Sequence, residues 1–92
     1  MLSIGQIVYS KRGRDKGNLF IVVGLYDNYC LIADGGLRKI ESPKKKKLKH
    51  IQPTNNFAEA ISDNESFSKI KNSDLKHALL NFKVRGFSLV EK

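Results

Sequence analysis

Gly13-Arg14-Asp15-Lys16-Gly17 stands between two apolar runs, Gln6-Ile7-Val8-Tyr9-Ser10 before it and Leu19-Phe20-Ile21-Val22-Val23 after it. Two glycines bracketing three charged residues read as a tight turn between two strands. Glycine accepts the positive φ such a turn needs without a Cβ penalty. Charged residues have no place in a core, so they belong at the tip. Asp15 reads as a turn residue whose carboxylate accepts local backbone N–H groups. Lys11, Arg12, Arg14 and Lys16 around one tip make a place to hold phosphate. Gly13, Asp15 and Gly17 are its structural members.

Strands continue outward from this turn. They are expected at about 6–10, 19–26, 29–33, 37–40 and 48–52. Tyr26-Asp27-Asn28-Tyr29 reads as a hairpin whose Asp and Asn tolerate the left-handed conformation of a two-residue loop. Asp34-Gly35-Gly36 is a second turn signal. Short strands joined by short turns point to a small antiparallel barrel. Along 19–25 both faces are apolar, so one face should line the barrel and the other should meet the C-terminal part. The fold class is therefore mainly β, with domain 1–53 as barrel and 54–92 as a small C-terminal segment. In that segment 54–72 is polar, with room for a short helix near 57–62. Leu75, Ala78, Leu79 and Phe82 then form the stripe of an amphipathic helix over about 73–84. Asn72 or Ser73 should cap it, Gly86 should end it, and 87–90 should be a brief extended tail.

Composition narrows the function. The chain has 92 residues, 40% hydrophobic and 28% charged, with a net charge of +8. Residues 1–53 carry eight Lys and three Arg against four acids, and residues 54–92 five Lys and one Arg against five acids. The excess thus sits in the first half, which points to a partner with dense negative charge. No apolar run approaches the roughly 20 residues of a membrane span, and the N-terminus lacks the pattern of a secretory leader. With the single cysteine, Cys30, this leads to an expected cytoplasmic location. Cys30 lies in an apolar strand and should be a buried small hydrophobe.

The second basic cluster is Pro43-Lys44-Lys45-Lys46-Lys47-Leu48-Lys49-His50, preceded by Arg38-Lys39. Pro43 should break any strand, so Lys44, Lys45, Lys46 and Lys47 are expected to project from a loop, where they either contact phosphate or stay solvated. Lysines would act as point charges, whereas Arg12, Arg14 and Arg38 can grip phosphate bidentately or stack on a base. Lys39, Lys49 and His50 join the anion-binding set. Tyr9, Phe20, Tyr26 and Tyr29 are expected in the core, with exposure of the hairpin pair Tyr26 and Tyr29 as the alternative. One cysteine and two histidines without ligand spacing give no set of metal ligands, so no metal site is expected. The glycine turn lacks the Gly-Lys-Ser/Thr ending of a nucleotide loop. No catalytic constellation and no cofactor or small-molecule substrate are expected.

Residues 5–33 resemble the KOW motif of ribosomal proteins and of transcription-elongation factors of the NusG type. Gly5, Val8, the Gly-x-Asp-Lys-Gly turn and the apolar run behind it carry the match. The resemblance implies an SH3-like barrel whose loop Lys11 to Gly17 contacts RNA. The lysine run resembles the basic segment that follows the motif in KOW-bearing proteins of the archaeal and eukaryotic large ribosomal subunit, and in their bacterial relatives. That likeness covers 1–53. For 54–92 it extends to no more than a shared helix. The expectation is a non-enzymatic, ribosome- or translation-associated protein that holds structured RNA, ribosomal RNA first, through phosphate contacts and shape. The alternative is a protein-interaction module of the transcription or translation machinery that recognises an acidic partner.

Overall fold

The apolar runs on either side of the glycine turn become β1 (Gln6–Ser10) and β2 (Leu19–Leu25) of a computed structural model, which describes residues 2–58 and 70–90, the last five as backbone alone. They continue into β3 (Tyr29–Ala33), β4 (Lys44–Lys47) and β5 (Ile51–Phe57), with a short 3-10 turn over Leu48–His50 and one helix, α1 (Asn72–Val90). The protein is mainly β. Its five strands form one antiparallel sheet in the order β4-β3-β2-β1-β5.

β4 and β5 are the two edges of this sheet, and they are not hydrogen-bonded to each other. By its pairing the sheet is open, where the sequence suggested a closed barrel. It is nonetheless curled. A flat five-stranded sheet measures about 19 Å from edge to edge. The link from Lys47 to Ile51 can span at most about 14 Å, and a 3-10 turn shortens it further. Two backbone bonds hold that turn against the curl: Lys11 N–H donates to His50 C=O at 2.8 Å, and Leu48 N–H to Asn28 C=O at 3.2 Å.

Strand alternation builds two cores on the two faces. Val8, Phe20, Val22, Cys30, Ile32 and Ile51 fill the concave face. Ile7, Ile21 and Ala33, which lie side by side in the ladder, line the other face with Val23 and meet Leu75 and Leu79 of α1. The two apolar faces read along 19–25 are thus both used. Cys30 is fully buried, and burial pushes its thiol pKa up.

Several boundaries differ from expectation. Residues 37–40 form no strand. They belong to the β3–β4 connection, whose turn is closed by Asp34 and Gly35 N–H groups donating to Arg38 C=O. β5 passes through Pro53, opposite Val8, and ends at Phe57. An edge strand tolerates a proline that has no N–H to give. Neither Asp27 nor Asn28 takes a positive φ. Tyr26 N–H donates to Tyr29 C=O at 3.0 Å, so Asp27 and Asn28 form the tip of the hairpin without the left-handed conformation expected of them. The short helix expected near 57–62 falls largely outside the described residues. The helix does not stop at Gly86 but runs to Val90, so 87–90 is not extended. One interior glycine costs only about 1 kcal/mol relative to alanine. Nor does Asn72 cap α1 with its side chain. Its Oδ1 accepts from Ile40 N–H at 2.8 Å and its Nδ2 donates to Glu41 at 2.9 Å. The cap comes from Asp74, which accepts from Lys71 N–H at 2.9 Å.

Candidate nucleic-acid interface

The basic turn after β1 is shaped by its glycines. Gly13 and Gly17 have φ of 87° and 88°, the left-handed region that glycine enters without strain. Gly17 N–H donates back to Ser10 C=O at 2.8 Å, closing the turn onto its own strand. Lys11, Arg12, Arg14 and Lys16 are exposed around it. Asp15, which the sequence marks as a local turn residue, points the other way.

Asp15 reaches across to the lysine run. Its Oδ2 lies 2.9 Å from Lys44 Nζ and its Oδ1 2.9 Å from Lys46 Nζ. The Ser10 hydroxyl donates to Oδ1 at 2.7 Å. Lys46 Nζ donates a further bond to Arg12 C=O at 2.7 Å. The Lys46 side chain is only 8% exposed and that of Asp15 12%. Burial disfavours the Asp15 carboxylate. The bonds from Lys44, Lys46 and Ser10, with the Lys46 charge, more than offset it and hold the carboxyl well below the usual carboxylate range. One acid thus joins edge strand β4 to the glycine turn through side chains.

The four lysines are therefore not a projecting loop. They form β4, and alternation splits them between two faces. Lys46 pairs with Cys30 and Lys44 with Ile32, so both face the concave side and Asp15. Lys45 pairs with Leu31 and Lys47 with Tyr29, so both face outward and are exposed. Repulsion along the run is relieved in part by an internal anion, where the sequence pointed to an external one.

The aromatic pair is the feature that sequence reasoning underrates. Tyr26 is 51% exposed, and its ring stacks on Tyr29 with centroids 4.7 Å apart and planes 13° from parallel. Lys45 Nζ sits 4.3 Å from the centroid of the Tyr29 ring, a cation–π contact. Two tyrosines three apart across a hairpin signal are the available clue.

Lys49 and His50 follow on the 3-10 turn. The Lys11–His50 backbone bond brings them to the end of β1, beside the first basic cluster. Desolvation lowers the His50 pKa, as do the charges of Arg12, Lys49, Lys47 and Lys46. Cations from both basic segments therefore act on one imidazole, which their field disfavours as a cation. Arg38 and Lys39 are placed elsewhere. They are exposed on the β3–β4 connection, which Asn72 fastens to the start of α1. Gly35 makes that approach possible: its φ is 82°, and a Cβ there would lie 2.2 Å from Asn72 C=O.

Among the described residues there is no group of His, Cys, Asp and Glu that could hold a metal ion, and no helix is long and apolar enough to cross a membrane.

No family model matches the chain. It is similar to large ribosomal subunit protein eL14 of the archaeon Methanococcus maripaludis, with 28% identity over 53 residues. The alignment covers 58% of this chain and 64% of that protein, so the chain spans less than two thirds of the relative's length. The likeness is that of a distant ribosomal relative.

Proposed function

We propose that this chain is a non-enzymatic, cytoplasmic RNA-binding protein of the ribosome or of translation, built on a KOW-type, SH3-like curl of sheet. The observation that carries the reading is the junction of the two basic segments. The Lys11–His50 bond sets the glycine turn beside the 3-10 turn, and the charges of both depress His50. Support also comes from the similarity to a large-subunit ribosomal protein and from the excess of positive charge in the first half of the chain.

In this reading Lys11, Arg12, Arg14 and Lys16 meet phosphates from the turn, and Lys45, Lys47 and Lys49 meet them from β4 and the 3-10 turn. Arginine supplies defined two-pronged contacts, and lysine supplies charge. Lys44 and Lys46 shape the surface by holding Asp15, while Arg38 and Lys39 form an outlying contact on a longer RNA. Ribosomal RNA is the partner that the relative suggests.

Sedimentation of cell lysate through a sucrose gradient tests this. The protein should travel with ribosomal particles at low salt and leave them in high salt or after RNase. Continued association with a protein complex after RNase would overturn the reading in favour of an acidic protein partner.

A further inference from the structure

We infer that the Tyr26–Tyr29 stack is a docking platform for an unpaired RNA base, so that binding includes one contact beyond phosphate neutralisation. The inference rests on the RNA-binding reading above and adds the kind of nucleotide recognised.

A tyrosine in a small sheet normally buries its ring and leaves only the hydroxyl in water. Tyr26 instead is half exposed at the hairpin, beyond the end of β2, and its ring stacks on another tyrosine. Near-parallel rings 4.7 Å apart present a flat surface of the kind a base adds to. The platform is also charged. Lys45 lies over Tyr29, and Lys47 stands opposite Tyr29 in the ladder. The 3-10 turn that carries Lys49 and His50 is pinned to the same hairpin by the bond from Leu48 N–H to Asn28 C=O. A strand whose phosphates follow these cations passes the exposed ring of Tyr26. Base–aromatic stacking beside a basic track is the means by which single-stranded segments are held without sequence readout. A fully paired helix keeps its bases inside and has none to offer.

The test uses two RNA hairpins, one with a single bulged adenine and one fully paired, and wild type, Tyr26→Ala and Tyr26→Phe proteins. Wild type should prefer the bulged hairpin by roughly 5- to 150-fold, the alanine-substitution range for one stacked base. Tyr26→Ala should erase that preference and leave the affinity for the paired hairpin unchanged, while Tyr26→Phe should retain it. The chain has no tryptophan and three tyrosines, so tyrosine emission gives a second readout: quenching on the bulged RNA that Tyr26→Ala diminishes. Equal salt-sensitive binding of both hairpins by wild type, or an equal loss on both with Tyr26→Ala, would overturn the platform and leave the phosphate reading standing. Failure of wild type to bind either hairpin would overturn both.

Discussion

Asp15→Asn removes an anion that faces two lysines, Lys44 and Lys46. Lys46 is 8% exposed and loses its ion-pair partner, keeping only neutral acceptors, the Arg12 carbonyl among them; Lys44, at 28% exposed, is partly served by water. Removing one partner of a buried pair costs about 3–5 kcal/mol because a charge stays buried. The partial exposure of Lys44 places this case near 3 kcal/mol. For a chain of this size that lowers Tm by roughly 12–24 °C. Lys46→Met should cost less, on the order of 1–2 kcal/mol, since Asp15 keeps Lys44 and Ser10. Lys45→Met, on the outward face, should stay within about 0.5 kcal/mol. Urea unfolding of the three variants gives the ranking. Equal stability of Lys46→Met and Lys45→Met, together with a harmless Asp15→Asn, would refute the idea that Asp15 ties β4 to the glycine turn. The pH dependence follows from the same group. The folded pKa of Asp15 is depressed, so its contribution is fully present above the ordinary value of 3.8 and is lost as pH falls toward the folded value. Wild type should therefore lose stability below about pH 4, and Asp15→Asn should lack that part of the loss.

Three further outcomes are expected. Gly17→Val should cost roughly 1–3 kcal/mol as backbone strain alone, because a Cβ there meets nothing within 4 Å; RNA affinity should fall by more than the lost folded population, as measured by melting and binding on the same sample. Gly35→Ala forces a Cβ to 2.2 Å from Asn72 C=O and should loosen α1, read as faster amide exchange in the helix than in β2. The His50 pKa, lowered by desolvation and neighbouring cations, should rise when RNA phosphates neutralise those cations, and imidazole NMR titration with and without RNA checks the sign.

The glycine turn, the first three strands, the two-faced β2 and the Leu75–Phe82 stripe were legible because each is a local pattern of period or turn chemistry. The lysine run was not. Lysine has modest strand preference and Pro43 signals a break, so a loop followed from local rules. Tertiary pairing with β3 overrode them, and a partner 31 residues away, Asp15, made burial of Lys46 tolerable. A lone acid among the cations of the turn was the clue, but local reading assigned it to the backbone. Asn72 misled in the same way, since its side chain bonds the β3–β4 connection and leaves the cap to Asp74. Of the candidate site, sequence supplied the cations. It could not show that Lys44 and Lys46 face inward while Lys45 and Lys47 face outward, because that depends on the register of β4.

The salt dependence of affinity for a structured RNA tests the central claim most directly. With about four to six phosphates neutralised by the two joined basic segments, log Kobs should fall against log salt with a slope of roughly −3 to −5. Replacing Lys45 and Lys47 by Ala should flatten that slope by about one unit for each phosphate that is no longer neutralised. A slope near zero for the wild-type protein would contradict the account.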